Sequence, residues 1–398
     1  MFATAMRSPR GLATLAPVST DPGPEPPAAS ARPAVLSRAQ VALPGARRAV
    51  VIGAGSFGTA IAVLLARAGL RATLQTRTER QAAELAEKRV NETYLPGIEL
   101  PASLRIEPIY SGVTRADYVF LAVPSTSLAG VIAALPTAGL GRRAAVVSLS
   151  KGLVPPNGQA PTSVLRSKFG AQRVACIGGP SHAAEMVHAG AGLVAATYAE
   201  SLGESLAAIF NRAGVVCELS NDPVGVELAG VAKNAAALAA GATEAQGLNA
   251  AGAAAGHIFA EVWRFAESSG ARPESFIGLA GAGDLVATAL APASRNRRAG
   301  ELLAQGVAPA EIQTRVAQAV EALESVPLLA QSITDAGFAA PVTSGLARLI
   351  EGALPLDEWI ALVRTTIPPR ARWQRSRSFW QRLRERLSRR RSGAPPES

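Results

Sequence analysis

The sequence predicts an α/β fold: a doubly wound, largely parallel sheet followed by an all-helical domain. Short β-branched runs alternate with helical patterns through the first half of the chain, which is how strand-helix-strand units read in sequence. After Asp222 the strands stop, and long Ala- and Leu-rich helical stretches take over. A glycine-rich turn directly after the first strand adds a ligand-binding signature to the sheet.

The elements follow in order. Residues 1–46 are rich in Pro, Ala, Ser and Arg, carry only two acids, Asp21 and Glu25, and show no apolar periodicity, so a disordered extension is expected. An organelle-transit reading of this acid-poor start is disfavoured by Pro9, Pro17, Pro22, Pro24, Pro26 and Pro27, which break an amphipathic helix. Strands are predicted at 49–52, 73–76, 118–123, 145–149, 174–177, 193–197 and 215–219. From Val224 to Arg364 helices are predicted, broken at Gly247, Gly270 to Pro273, Gly281 to Gly283, Gly306 and Gly337. The expected organisation is therefore an extension (1–46), a sheet domain (47–222), a helical domain (223–366) and a basic tail (367–398).

Composition narrows the class. With 398 residues, 48% of them apolar, the chain has material for two cores. The net charge of +10 suggests an acidic partner until its distribution is read: ten arginines and one acid, Glu385, lie between Arg370 and Arg391, which leaves the rest of the chain near neutral. No nucleic-acid surface is expected of such a body. In the tail, Trp373, Trp380 and Leu387 recur every seven residues among the arginines, a basic amphipathic pattern suited to weak contact with an anionic membrane surface. No apolar run reaches the roughly 20 residues of a membrane-spanning helix. The two cysteines, Cys176 and Cys217, sit in predicted strands and read as core residues of a reducing, cytoplasmic protein. No metal site is expected.

The chemistry-bearing residues fall at the carboxyl ends of the predicted strands. Gly53, Gly55 and Gly58 lie between the first strand and the following helix, with Ser56 and Phe57 among them. This spacing supplies a tight turn, close approach of a pyrophosphate and helix-on-strand packing, the Rossmann fingerprint of a dinucleotide site. At the end of the second strand, where an acid would bind the ribose of NAD, stands Arg77, with Thr76 and Arg80 nearby. An arginine there suits a 2′-phosphate, so NADP(H) is favoured and NAD(H) remains open. The fourth strand ends in Ser150, Lys151 and Gly152, and the fifth runs into Gly178, Gly179, Pro180 and Ser181, either a plain turn with a helix cap or a ligand-facing loop. On the helix from about Val224, Gly230, Lys233, Ala237 and Gly241 share one face. A lysine on such a bare stripe is open to close approach, and partial desolvation lowers its pKa toward the range useful for proton transfer. Asp284 follows a Gly-rich loop, and Ser294, Arg295 and Asn296 form a donor set for phosphate or carboxylate.

Taken in order, these segments closely resemble the NAD(P)-dependent glycerol-3-phosphate dehydrogenase family of the soluble bacterial type, from about Arg48 to Arg364. The match rests on Tyr94 to Ile98, Ser150 to Leu153, Gly179 to Glu185, Lys233 with Asn234, Gly278 to Leu285, and Ser294 to Arg297. The resemblance implies a helical second domain of the 6-phosphogluconate-dehydrogenase-like kind. It implies reduction of dihydroxyacetone phosphate to sn-glycerol 3-phosphate, for phospholipid synthesis, and a homodimer is expected. By resemblance, Lys233 is the catalytic acid/base, while Lys151, Gly179, Ser181, Asp284, Ser294, Arg295 and Asn296 line the substrate site together with Lys233. Cofactor contacts carry over to Ser56, Phe57, Arg77, Lys151, Ala183, Arg295 and Glu321, beside the glycines of the fingerprint. Where the family has Val-Glu-Gly, this chain has Val320, Glu321 and Ala322, and neither the first 46 residues nor the tail beyond Pro368 matches it. The competing readings are a hydroxyacid dehydrogenase or ketopantoate reductase of the same two-domain build, and a cofactor-binding sensor that has lost catalysis. The donor set at Ser294 to Arg297 favours a phosphorylated substrate over the first, and retention of Lys151, Lys233, Asp284 and Arg295 speaks against the second.

Overall fold

The computed structural model describes residues 47–190, 192–291, 294–316 and 318–367. The expectations for the extension and for the tail beyond residue 367 lie outside the described residues.

All seven predicted runs form strands. In chain order the sheet elements are β1 (Arg48–Ile52), β2 (Arg71–Thr76), β3 (Val90–Asn91), β4 (Leu95–Glu99), β5 (Arg105–Pro108), β6 (Tyr118–Leu121), β7 (Ala145–Ser148), β8 (Val174–Gly178), β9 (Gly192–Thr197) and β10 (Val216–Ser220). Eight of them make one sheet in the order β10-β9-β8-β7-β6-β1-β2-β5, parallel throughout except for the β8/β9 pair. Three strands were not predicted: the β3/β4 hairpin and the edge strand β5. Each is short, and β5 is specified by a non-local parallel partner, β2, which leaves no trace in local periodicity.

Helices α1 (Ser56–Arg67), α2 (Glu79–Lys88), α3 (Ser125–Ala134), α4 (Pro161–Phe169), α5 (Ala183–His188) and α6 (Glu200–Arg212) connect the strands. The central strands β1, β6, β7, β8 and β9 are buried on both faces and read as continuous apolar runs, while the edge strands β10 and β5 are partly exposed. Along β1, Ala49 and Val51 join the core under α1, α5 and α6, whereas Val50 and Ile52 join the opposite core under α3 and α4. This is the doubly wound arrangement, and it gathers the strand carboxyl ends into one rim.

After β10 the chain is helical: α7 (Pro223–Thr243), α8 (Leu248–Ser268), α9 (Pro273–Ile277), α10 (Asp284–Leu290), α11 (Arg295–Ala304), α12 (Pro309–Val316), α13 (Glu321–Asp335), α14 (Pro341–Ile350) and α15 (Leu356–Thr365). Helix α7 is the axis of this domain. Its start is set by Pro223 at the first position and by the Asp222 carboxylate, which accepts from Gly225 N at 2.9 Å, from Arg272 N at 2.7 Å and from Ser275 Oγ at 2.7 Å. Nearly every residue of α7 is buried, because α8, α11 and α13 surround it.

The small-residue stripe on α7 has a different use from the one expected. A Cβ at Gly241 would lie 2.1 Å from the Arg297 carbonyl oxygen, and one at Gly300 would lie 2.0 Å from that of Leu238. The two glycines bring the backbones of α7 and α11 into contact, so this end of the stripe is a helix-packing surface and not an open approach to Lys233. Only Gly230 adjoins the functional residues, where an added Cβ would meet the Lys151 side chain at 3.9 Å. Among the described residues no helix is long and apolar enough to cross a membrane.

Candidate active site

Three chemically loaded side chains meet where α7 crosses the carboxyl rim of the sheet. Lys151 follows β7, Lys233 stands midway along α7, and Asp284 opens α10. Lys151 Nζ lies 2.8 Å from Asp284 Oδ2, and Lys233 Nζ lies 3.4 Å from Asp284 Oδ1. One buried carboxylate thus bridges two ammonium groups that are 82 residues apart in the chain.

Each member is held by further bonds. Lys151 Nζ also donates to Gly179 O at 3.1 Å and Ser181 Oγ at 3.2 Å, and it lies 5.7 Å from the centre of the Phe57 ring. Gly179 is in the left-handed region (φ +94°), and a Cβ there would lie 2.5 Å from the Gly192 carbonyl oxygen, so only glycine lets this carbonyl point at Lys151. Ser181 does not cap α5, whose N-cap is His182; its hydroxyl instead serves Lys151 and Gly179 O. Lys233 Nζ donates to Thr288 Oγ1 at 3.1 Å. Thr288 carries no sequence signal, since a threonine one turn into a helix is ordinary.

Burial sets the electrostatics. It is the largest influence on Lys233, and with repulsion from Lys151 it outweighs the attraction of Asp284 and Glu321, bringing the ammonium pKa down to about 8. Burial pushes Asp284 the other way, upward, but the two lysines together hold its carboxyl below the ordinary value. The cluster carries one anion against two cations, a balance that favours an anionic ligand.

A second network fixes the backbone behind these groups. Asn234 Nδ2 donates to Lys151 O at 3.2 Å and to Glu321 Oε2 at 3.1 Å, while Asn296 Nδ2 donates to Asn234 Oδ1 at 2.8 Å and Asn296 Oδ1 accepts from Ala322 N at 3.3 Å. The structure therefore brings Lys151, Gly179, Ser181, Lys233 and Asp284 into direct contact, with Phe57, Asn296 and Glu321 one step away. Ser294 is buried as the N-cap of α11, its hydroxyl accepting from Arg297 N. Arg295 is exposed and donates to Ala319 O at 3.2 Å, Arg77 is exposed beyond β2, and Ala183 begins α5. These last three have no direct bond to the cluster among the described residues.

The glycine turn is shaped for a dinucleotide phosphate. Gly53 takes φ +112°, and an added Cβ would lie 2.3 Å from the Ala122 carbonyl oxygen; at Gly58 it would lie 2.1 Å from that of Gly53. Those two glycines are required by the fold itself. At Gly55 a Cβ would meet no atom within 4 Å, and Gly55 caps α1 without a side-chain bond. Gly55 thus leaves open space at the N-terminus of a 12-residue helix, where a pyrophosphate fits.

A small void beside the cluster has room for about 10 Å³, one water, and its lining includes Ser150, Lys151, Gly179, Glu227, Gly230 and Asp284. Both cysteines are buried with their thiols pushed up by burial, Cys217 to about 12, which makes them inert. Among the described residues no group of three or more His, Cys, Asp or Glu is placed to hold a metal.

Comparison with known proteins bears on the same two regions. Residues 48–218 match the family model described as NAD-dependent glycerol-3-phosphate dehydrogenase N-terminus, and residues 222–361 match the corresponding C-terminus model. A Deinococcus radiodurans protein named glycerol-3-phosphate dehydrogenase, NAD(P)+-dependent, is 39% identical over 309 residues, covering 76% of this chain and 90% of the relative. The crystal structure of glycerol-3-phosphate dehydrogenase from Coxiella burnetii superposes with a TM-score of 0.75 at 27% identity, over 80% of this chain and 99% of the other. A ketopantoate reductase from Ralstonia eutropha covers 78% of this chain and 99% of its own at a TM-score of 0.54 and 22% identity, a likeness of fold alone.

Proposed function

The chain belongs to the NAD-dependent glycerol-3-phosphate dehydrogenase family, and from that premise we propose how its own residues reduce dihydroxyacetone phosphate to sn-glycerol 3-phosphate. It is an NAD(P)-dependent oxidoreductase with that reversible reaction. The hydroxyacid and ketopantoate alternative is not favoured, because it has only a shared fold behind it.

The observation that carries the mechanism is the carboxylate bridge from Asp284 to Lys151 and Lys233. A reduced nicotinamide held by the glycine turn would supply the hydride to the carbonyl carbon. As that carbon is reduced, negative charge develops on its oxygen, and the Lys233 ammonium stabilises the oxygen and then transfers a proton from Nζ to it. A pKa near 8 leaves Lys233 mostly protonated at neutral pH, yet close enough to neutrality to give the proton up. Asp284 and Thr288 aim Nζ, and solvent restores the proton afterwards. In the oxidation direction neutral Lys233 takes the proton from the alcohol.

Lys151 faces both substrate and cofactor, held by Gly179 O and Ser181. Ser294, Arg295 and Asn296, at the start of α11, receive the substrate phosphate with Gly179, Ser181 and Asp284 completing the site. Gly53, Gly55, Ser56, Phe57 and Gly58 hold the dinucleotide, with Ala183, Arg295 and Glu321 as further contacts. Arg77 pairs with a 2′-phosphate, which favours NADP(H) over NAD(H). The chain divides functionally at 222/223 into cofactor and substrate domains, works in the cytoplasm as a homodimer, and supplies glycerophospholipid synthesis. Its arginine-rich tail adds weak contact with anionic membrane surfaces.

Lys233→Ala tests the core of this reading. Turnover should fall by at least about 10², the scale of a lost general acid, while the dissociation constant for NADPH changes little. Near-normal turnover would remove Lys233 from its role.

A further inference from the structure

Glu227 lines the void beside Lys151 and Asp284 but has no part in the mechanism above. It is buried on α7 and its carboxylate reaches across to α4. Thr162 N donates to both carboxylate oxygens at 3.0 Å, and Thr162 Oγ1 donates to Oε2 at 2.5 Å. Helix α4 has no cap of its own, because its N-cap residue is Ala160 and its first position is Pro161. A side chain from another domain therefore supplies the acceptor at the positive end of α4. The other ionisable groups close to Glu227 are Cys176 on β8 and Tyr198 after β9, the latter with the Arg166 guanidinium 5.1 Å from its ring.

Position along α7 gives this contact its consequence. Glu227 and Asn234 are seven residues apart, two helical turns, so they share one face of α7 about 10 Å apart. The two contacts hold the two ends of the segment that runs from β7 into α4: Asn234 bonds the Lys151 carbonyl just after β7, and Glu227 bonds Thr162 in the first turn of α4. Two anchors on one face set both the rotation of α7 and its slide along the sheet rim. Those are the two freedoms that fix where Lys233 Nζ lies relative to Lys151 and Asp284.

We propose that Glu227 is a positioning residue for the reaction: by capping α4 from α7 it holds Lys233 in register with Lys151 and Asp284 across the domain boundary. This rests on the assignment of Lys233 as proton donor. The molecule contains its own control. Glu261 on α8 accepts from Val342 N at 3.1 Å, Thr343 N at 2.8 Å and Thr343 Oγ1 at 2.6 Å, capping α14, which also starts with Ala340 and Pro341. The residue types and burial are alike, but this second clamp joins two helices of one domain and touches none of the site residues.

The test compares Glu227→Ala and Thr162→Val with Glu261→Ala and Thr343→Val in the full-length enzyme, with Thr162→Ser as the conservative variant and Lys233→Ala alongside. Melting temperature, kcat, KM for dihydroxyacetone phosphate, NADPH affinity and the pH profile of kcat are measured for each. Both pairs should lose melting temperature. Only the Glu227 pair should lose kcat, about tenfold or more for an ångström-scale misplacement, with the alkaline limb of the profile displaced, NADPH affinity kept, and Thr162→Ser close to the parent. Should Glu227→Ala not fold, Thr162→Val against Thr343→Val decides by the same readouts. Wild-type kcat with an unmoved pH limb in the Glu227 pair overturns the proposal, and so does an equal loss of kcat in the Glu261 pair. If Lys233→Ala retains turnover, the proton-donor assignment has failed instead, and the two failures are told apart.

Discussion

Replacing Asp284 with Asn keeps the shape of the bridge and removes its charge, so it isolates what the carboxylate does to Lys233. At 3.4 Å and an effective dielectric of about 20, the attraction between the two groups is about 5 kcal/mol. If all of it reached the lysine, its titration would move by more than about 3 pH units, at about 1.4 kcal/mol per unit. The asparagine oxygen still accepts a hydrogen bond and the site relaxes, so about one unit is a conservative expectation. The sign follows from the charge: without its anion, and with Lys151 still adjacent, the ammonium is less stable and its pKa falls from about 8 toward about 7. The protonated fraction at pH 7 drops from about nine-tenths to about a half, and further if more of the attraction is lost. Initial rates at saturating dihydroxyacetone phosphate and NADPH, from pH 5.5 to 9.5 at constant ionic strength, report this titration in the substrate complex. The reduction profile should fall off at lower pH than in the parent, and the oxidation profile should rise at lower pH by the same displacement. If both midpoints stay where they were and only the amplitudes drop, Asp284 does not tune Lys233 and the bridge is a binding device.

Arg77→Ala should weaken NADPH by about 1.5 to 3 kcal/mol, the worth of a charge-assisted hydrogen bond, and leave NADH nearly unchanged; equal losses in paired titrations would show that the arginine does not read the phosphate. Gly58→Ala puts a methyl 2.1 Å from the Gly53 oxygen and 2.7 Å from Ala122 Cβ, so the turn must open and cofactor affinity should drop about tenfold or more; unchanged affinity by fluorescence titration would contradict the packing argument. With anionic vesicles, the full chain should sediment in a salt-sensitive way and a chain ending at Pro368 should not, each cation near the surface contributing about 1 kcal/mol; identical behaviour would exclude the tail as a membrane contact.

Much of the molecule is legible without coordinates. The central strands announce themselves because strands covered on both faces need unbroken apolar runs, and the breaks at Gly247, Gly270, Gly306 and Gly337 fall where helices end, whereas Gly281 to Gly283 form a π-helical turn that runs into α10 instead of breaking the helical path. Gly58 is readable for a local reason, since a Cβ there would strike the Gly53 oxygen in the same turn, and Gly53 for its positive φ, although the atom its side chain would strike is the distant Ala122 carbonyl oxygen. Strand β5 escaped because its partners on β2 lie 32 residues away in sequence. The β3/β4 hairpin escaped because two residues and a Pro-Gly pair, Pro96 and Gly97, carry no alternation. Its second strand overlaps the Tyr94 to Ile98 segment that contributes to the family resemblance, so the signal was one of identity and not of periodicity.

The site divides in the same way. The residue types at Lys151, Lys233, Asp284 and the glycine turn point to anion binding, proton transfer and a dinucleotide from sequence alone, because chemistry resides in the side chain. Their roles toward one another do not, because Asp284 is 133 residues from Lys151 and 51 from Lys233 in sequence, yet sits between them. Read linearly, Glu227 is one of four polar interruptions of an Ala-rich helix, and the stripe that carries Gly241 suggests an approach for ligand. Only the packing of α7 against α4 and α11 turns the first into a cap for another domain's helix and the second into a backbone contact. Sequence determines which groups are available and which turns the backbone can make, since both are local properties of the chain. Tertiary structure decides which groups share a low-dielectric space, and that sharing brings a lysine down to about 8 and places it beside its carboxylate.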